Sequence, residues 1–415
     1  MTPSTREDFL WLMSDQAAPL LAKVQAAFEN RINAVRIAKT LRKSTTPERS
    51  ALVMEQAQLR IRARKKFSQA DSMFFTRRGL EQSSGGQIGK YKALRFRGLS
   101  NVADICCGVG GDLIGLAKRK LLKETDRTVG LDLDELTCFF ARKNIEVSGL
   151  DPDLVTVEHG DFAGFDLQCM DGVHVDPDRR MQDRTVQGNR FSPTLKSIFE
   201  RISRDCSLSI KVAPATPRAS YFPEDMQREW IGDHRECKQQ VLWSGPRTDR
   251  PGQRTATYLG RDGKISQISV DESEMNPTIE VVDSIGRCIY EPHPTVLAAD
   301  LTDHIAMKYE LRRFTASIVY LTGDVVVDDP LLTRFEVLHI LPLSLRQVGK
   351  FLNSIDVGRI EVKKRGIENV TAERFGRLKL SGPSLATVIL TRVGRKRIAI
   401  IAKRPDNPLQ LSPSE

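Results

Sequence analysis

The sequence predicts an α/β protein built on a doubly wound parallel sheet, with a helical region before it and a basic α+β region after it. Three observations predict this. From residue 100 to about 215, apolar strand-like runs alternate with helical segments, the pattern of parallel strands linked by crossover helices. The first strand runs straight into a glycine-rich turn, Cys106-Cys107-Gly108-Val109-Gly110-Gly111-Asp112, with a helix beginning near Leu113. A second strand, Thr128-Val129-Gly130-Leu131, ends in an acid, Asp132, about twenty residues past the turn.

The elements follow in order. Residues 1–82 read as a helical domain: Phe9, Leu12, Leu20, Leu21, Val24 and Phe28 recur at helical spacing. Thr46 is placed to cap a helix with Pro47 in its first position. Ser83-Ser84-Gly85-Gly86 breaks the pattern before a helix that leads into Phe96. Past Asp132, Asp134 is placed to cap a helix from Glu135 to about Ser148, which Gly149 ends. A third strand, Leu154–Glu158, runs into His159-Gly160-Asp161-Phe162. A fourth, Gly172–Val175, runs into Asp176-Pro177-Asp178-Arg179-Arg180. The fifth, Leu208–Val212, is stopped by Pro214 and Pro217. Residues 246–280 are polar, a loop or linker with hairpin content. Beyond them a helix is expected over Ser344–Phe351, and apolar β-branched runs at Ala386–Leu390 and Ile398–Ala402 read as strands. The expected division is a helical domain over 1–82, a sheet domain over 83–262, an α+β (ferredoxin-like) linker domain over 281–345, and a basic domain over 346–404.

Composition narrows the class. A chain of 415 residues exceeds one core, so more than one domain is expected. No apolar run is long enough to span a bilayer and no charged-then-apolar leader opens the chain, so a cytoplasmic protein without membrane attachment is expected. The seven cysteines are scattered and form no C-x-x-C pair, which points to neither a metal site nor a disulfide framework. Net charge is +10, and its distribution is uneven: Arg346–Arg404 holds fifteen Lys and Arg against four Asp and Glu. A second basic run, Arg60-Ile61-Arg62-Ala63-Arg64-Lys65-Lys66, lies upstream. Two basic zones flanking a sheet domain suggest a polyanionic partner. No heptad or repeat speaks to oligomeric state.

A glycine turn followed by an acid one strand later predicts a nucleoside cofactor at the carboxyl edge of the sheet. Glycines let the backbone approach a ligand, and an acid at the second strand tip can accept both ribose hydroxyls; Asp132 also has the chemistry of a helix cap. A dinucleotide fingerprint needs a third glycine where this chain has Leu113, which argues against a dehydrogenase.

The pattern D-x-C-x-G-x-G-G, led by Asp104, resembles motif I of the class I S-adenosylmethionine (SAM) methyltransferases. The resemblance implies that SAM is the cofactor. Its amino-acid end would sit on the turn, at Asp104, Cys106, Gly108, Gly110, Gly111 and Asp112. Asp132 and Leu133 would lie along the ribose, Asp161 would accept from the adenine amino group, and Phe162 would pack on the ring. The Asp-Pro-x-Arg-Arg segment resembles a bacterial branch that carries a THUMP-like C-terminal domain. Glu229-Trp230-Ile231-Gly232, Glu236–Gly245, Lys363-Lys364-Arg365-Gly366 and Ala386–Gly394 resemble that branch too. The implied fold is a Rossmann-like methyltransferase sheet with an N-terminal helical region and a THUMP-like α+β region, covering about residues 80–404. Asp178 stands where a small residue such as alanine is expected.

The resemblance places Asp176, Pro177, Arg179 and Arg180 at the reacting centre. Asp176 could orient or deprotonate an exocyclic amine. Pro177 would stiffen the loop. Arg179 and Arg180 could hold an RNA phosphate, or pair with Asp166, Asp171 or Asp183. No cysteine lies between Met170 and Asp205, which disfavours a covalent pyrimidine mechanism. His174, inside a strand, reads as a packed core residue. The expectation is methyl transfer to a nitrogen or oxygen of tRNA or rRNA, held by the C-terminal region and the upstream basic run. A small-molecule or protein methyltransferase, or a non-catalytic SAM-binding RNA-binding protein, stays open.

Overall fold

The computed structural model describes residues 5–119, 126–179, 191–275, 277–316, 318–368 and 372–404. The chain forms two compact units, residues 1–228 with 240–251, and residues 229–239 with 252–415.

The first unit opens with helices α1 (Arg6–Leu12), α2 (Ala18–Glu29), α3 (Ala34–Leu41), α4 (Pro47–Ala63), α5 (Arg77–Gln82) and α6 (Gly86–Ala93). Short polar side chains cap several of them, and one does so where the sequence predicts: the Thr46 side chain accepts from the Arg49 N–H at the head of α4. Next come strand β1 (Asn101–Ile105), helix α7 (Gly111–Ala117), β2 (Arg127–Asp132), α8 (Glu135–Val147), β3 (Val155–His159) and β4 (Gly172–Val175). Two short antiparallel strands, β5 (Asp178–Arg179) and β6 (Phe191–Ser192), precede α9 (Leu195–Arg201) and β7 (Ser207–Val212). Helix α7 begins two residues earlier than expected because Gly110, at φ +87°, already caps it.

Sheet order is β3-β2-β1-β4-β7, all parallel. Strand β9 (Glu236–Ser244) then pairs antiparallel with β7, beside β8 (Gln227–Asp233). Strand order reverses between β1 and β4, so a crevice opens at their carboxyl ends. Side chains alternate across the strands. Ala103, Ile105, Val173, Val175, Leu208 and Ile210 pack with Leu195 and Ile198 of α9 on one face. Leu113, Ala117, Cys138, Ala141 and Ile145 pack with β3 on the other.

The expected boundary at 82/83 is not a break between cores. Val109 of the glycine turn and Phe140 of α8 belong to the same buried cluster as the helices α1–α5. Asn144 of α8 is fully buried and ties the two together: its amide donates to the Phe74 and Val109 carbonyls at 2.9 Å and accepts from the Phe74 N–H at 2.7 Å. The basic run at the end of α4 is only partly at the surface. Arg60 is buried, donates to the Met73 carbonyl at 2.8 Å and stacks on Phe74. Burial lowers its guanidinium to about 10. Arg64 pairs with Asp71 and Glu29, and Arg62 with Glu81. Lys66 donates to the Leu80, Glu81 and Ser83 carbonyls at the end of α5. The expectation that this run faces a polyanion is corrected for Arg60 alone, which is buried against Met73 and Phe74, while Arg62, Arg64 and Lys65 stay exposed and Lys66 is held by carbonyls at the end of α5.

The second unit holds an antiparallel hairpin, β10 (Gln253–Leu259) and β11 (Ile265–Asp271). It continues with β12 (Cys288–Pro292), α10 (Pro294–Ala298), α11 (Thr302–Lys308), β13 (Arg312–Arg313), β14 (Leu321–Gly323) and β15 (Leu332–Pro342). It ends with α12 (Leu345–Ser354), β16 (Val357–Lys364), α13 (Ala372–Gly376), β17 (Ser384–Val393) and β18 (Lys396–Lys403). These strands form one seven-stranded sheet, β13-β14-β12-β15-β18-β17-β16. The division expected at 345/346 therefore does not separate two sheets. Strand β15 is long enough to pair with β12 through its first half and with β18 through its second. Among the described residues no helix is long and apolar enough to cross a membrane.

Candidate active site

The glycine turn after β1 is pinned at several points. The Cys107 N–H donates to the Leu131 carbonyl at 3.0 Å, and the Gly108 N–H to Asp132 Oδ2 at 2.8 Å. Cys106, Gly108 and Gly110 all have positive φ. A Cβ built on Gly108 would meet nothing within 4 Å, so the turn opens on empty space there. At Gly111 a Cβ would press on Ser83 and Ser84, and at Gly115 it would stand 2.8 Å from the backbone of Gly89. Gly115 lets α6 and α7 pack closely, and Gly111 lets the start of α7 approach the turn at Ser83-Ser84.

Asp132 sits at the tip of β2. Its Oδ2 holds Gly108 and its Oδ1 accepts from the Asp134 N–H at 3.0 Å. Burial raises its pKa, against the opposing pull of those backbone bonds. Each oxygen keeps a second lone pair. Asp134, not Asp132, caps α8. Leu133 is exposed. Asp161 follows β3 and accepts from the Ala163 N–H through Oδ1 at 2.8 Å. Phe162 beside it is buried, with the Arg201 guanidinium 4.7 Å from its ring centroid.

Asp104 is 1% exposed, and neither of its carboxylate oxygens has a hydrogen-bond partner. Burial holds its carboxyl well above the usual range, and the nearby Asp112 charge adds to the effect. Asp104 heads a polar row across the sheet. Register places it beside His174 of β4, and His174 beside Ser209 of β7. His174 Nδ1 lies 2.7 Å from Ser209 Oγ. Asp112, expected at the cofactor, has its carboxylate engaged from behind by Lys92 at 2.8 Å, Ser84 Oγ at 2.8 Å and His174 at 3.4 Å. Lys92 and Asp112 are both buried. Burial is the largest influence on Asp112 and raises its pKa, but Lys92 and His174 outweigh it and hold the carboxyl well below the usual range. Burial and the Lys92 charge keep His174 below its usual value.

Asp176 follows β4, with its N–H on the Ile105 carbonyl at 3.0 Å. Its Oδ2 accepts from Lys211 Nζ at 2.7 Å, and Lys211 also donates to the Gln82 carbonyl at 2.6 Å. Burial works against the charge on Lys211; Asp176 and the other acids more than offset it and raise its pKa. Pro177 is buried. Asp178, the departure from the family pattern, pairs with Arg78 and Gln82 of α5. Arg179 lies in the short strand β5. Arg180 and Asp183 lie outside the described residues, as does the Arg179 side chain.

The structure thus brings Asp104, the glycine turn, Asp132, Asp161 and Asp176 to the carboxyl ends of β1–β4. It adds Lys92, Gln82 and Lys211, which sequence reasoning did not single out. Lys211 left one trace, a charge inside the apolar run Leu208-Ser209-Ile210-Lys211-Val212. Lys92 left none, because its burial depends on α6 meeting α7.

Comparison with known proteins agrees with this architecture. Residues 332–404 match the THUMP domain-like family, and residues 5–63 match a domain of unknown function. Uncharacterized S-adenosylmethionine-dependent methyltransferases from two strains of Mycobacterium tuberculosis, CDC 1551 and H37Rv, are each 26% identical over 84% of this chain and 94% of theirs. A crystal structure from Porphyromonas gingivalis W83, assigned as a methyltransferase, superposes with a TM-score of 0.71 at 22% identity, over 87% of this chain and 92% of that one.

Proposed function

We propose that this protein, a class I SAM-dependent methyltransferase with a THUMP-like C-terminal domain, methylates a nitrogen or oxygen of an RNA nucleotide in tRNA or rRNA, without a cysteine adduct. The observation that carries the site assignment is Asp104, a fully buried carboxylate lacking any partner, beside an open glycine turn. An unpaired buried acid is costly unless a donor meets it.

The residues present fit SAM. Asp104 would accept from its α-ammonium. Gly108 and Gly110, with Cys106 and Gly111, would give its amino-acid end room. Asp132 would use its remaining lone pairs for the ribose hydroxyls beside Leu133. Asp161 Oδ2 would face the adenine amino group, with Phe162 against the ring. Asp112 supports this wall from behind, through Lys92. Bound there, SAM supplies a sulfonium methyl, an electrophile that needs no further activation.

The chain's own contribution is alignment and proton handling. Lys211 takes Oδ2 of Asp176 and leaves Oδ1 for the substrate. Asp176 then accepts a hydrogen bond, and in turn the proton, from the target N–H or O–H. Pro177 and the bond from the Asp176 N–H to Ile105 keep that carboxylate still. Arg179 and Arg180 would reach the RNA backbone near the target. Burial raises the Cys106 thiol, with Asp132 and Asp176 adding to it, so no thiolate stands ready for attack on a base. The basic surplus of residues 346–404 within the THUMP-like match supports RNA as the polyanion.

The test is methyl transfer from labelled SAM to total RNA from cells lacking this gene, wild type beside Asp176→Ala, with tRNA and rRNA separated afterwards. Label in one RNA class with wild type alone is expected. SAM binding without label in any RNA would reject RNA as the substrate.

A further inference from the structure

A charged cluster in the second unit lies outside everything described above. Alternation along β16 places Glu361 and Lys363 on one face, with Arg365 next in the same series. Glu291 of β12 meets three cations: Arg235 and Lys363 at 2.7 Å, and Arg365 at 3.6 Å. Glu361 meets Arg404 at 3.7 Å and Lys363 at 3.8 Å. The Phe335 ring forms the floor, with Lys363 Nζ 5.6 Å and the Arg404 guanidinium 5.4 Å from its centroid.

Four cations thus share two carboxylates. Neutralising Glu291 and Glu361 needs two of them, so two positive charges are in surplus. The surplus is accessible: Arg235 and Arg365 keep about half of their side-chain surface in solvent, while Glu291 is nearly buried. Each guanidinium carries five N–H donors in a fixed fork, and one contact to Glu291 leaves others unused. Glu291 holds these forks in place before any ligand arrives, which lowers the ordering cost of binding. A second observation points the same way. Tyr320 has no exposed surface, and its hydroxyl has no hydrogen-bond partner. Tyr320 packs in the same buried cluster as Phe335, the floor of the site, and burial raises its pKa, with the Glu291 charge adding to the effect.

We propose that Arg235, Arg365, Arg404 and Lys363, with the Tyr320 hydroxyl, form a seat for a phosphate group. A tetrahedral phosphate oxyanion can take several converging N–H and O–H donors at once. The source of the phosphate rests on the reading above and is the RNA backbone. The site itself is independent of the methyl-transfer chemistry.

The experiment uses the full chain and two probes, a short labelled single-stranded RNA followed by fluorescence anisotropy, and inorganic phosphate followed by phosphorus NMR line broadening. Wild type is compared with Arg235→Gln/Arg365→Gln, with Arg365→Gln alone, and with Tyr320→Phe. Thermal melts and SAM binding report whether each variant is folded. Tyr320→Phe removes only an unbonded hydroxyl, so it remains informative if an arginine variant unfolds. Between about 50 and 200 mM salt, losing one phosphate contact should make the slope of log affinity against log salt shallower by about 0.7. Loss of RNA affinity with that slope change supports the seat with RNA as source. Loss confined to inorganic phosphate supports the seat and assigns it to a small phosphorylated molecule. Folded variants unchanged in both arms overturn the proposal, while Asp176-dependent RNA methylation would still stand or fall by its own assay.

Discussion

Gly108→Ala should separate the cofactor cradle from the fold. Gly108 lies at φ +55°, and a Cβ there meets no atom within 4 Å. The folding cost is then the left-handed backbone alone, about 1–2 kcal/mol. Cys106 in the same turn already bears a side chain at φ +59°. The space the methyl would fill is the space assigned to the cofactor's amino-acid end. Forcing one extra methyl into a close-fitting seat costs about 1–3 kcal/mol, which is roughly 5- to 150-fold in Kd. Calorimetric titration with SAM and with S-adenosylhomocysteine reads that loss, beside a thermal melt. Gly115→Ala is the contrast. Its Cβ would stand 2.8 Å from the Gly89 backbone, so it should damage the fold, with a clear drop in Tm. A folded Gly108→Ala protein with wild-type affinity for both ligands would refute the placement of the cofactor on this turn.

Other outcomes follow from the same geometry. Lys211→Met removes a charge-assisted bond to Asp176 worth about 1.5–3 kcal/mol; kcat should fall roughly 10- to 150-fold with SAM affinity retained, and an equal loss of SAM affinity would show that Lys211 serves the cofactor instead. Lys92→Met strips a buried carboxylate of its cation and should cost about 3–5 kcal/mol at pH 8. The cost should be smaller at pH 6, where His174, freed of Lys92, can ionise beside Asp112; urea melts at the two pH values check this, and a greater loss at pH 6 contradicts it. In the wild type the folded-state pKa of His174 is depressed below its usual 6.5, so its neutral form contributes stability that is present above that value and is lost as pH falls through the depressed one. Asp112 is held well below 3.8, so its contribution persists until more acid conditions, and a melt series from pH 8 to pH 3 should decline in that order. Cys106→Ser should keep its turnover at saturating SAM; abolished turnover with SAM still bound would revive a covalent route through that thiol.

The sequence by itself determined the parallel sheet and its edge. Strand-helix alternation, the glycines after β1 and the acid ending β2 are local signals, because turn geometry and strand termination are set by a few adjacent residues. Capping was equally legible at Thr46 and Asp134, where a short polar side chain bonds a backbone N–H three residues on. The C-terminal charge surplus needed only counting. What tertiary structure decided was which charges are free to act. Arg60 to Lys66 reads as one basic patch in one dimension, yet packing buries Arg60 and gives Lys66 to carbonyls at the end of α5, while Arg62, Arg64 and Lys65 stay exposed. Asp112 lies in the glycine motif, but the close approach of α6 to α7 gives its carboxylate to Lys92. Asp104, His174 and Ser209 become a row only through strand register, and Lys211 reaches Asp176 only because β7 lies next to β4. Strands that pair across more than thirty residues leave no local trace of their neighbours, so sequence could place these residues on strands but not beside one another.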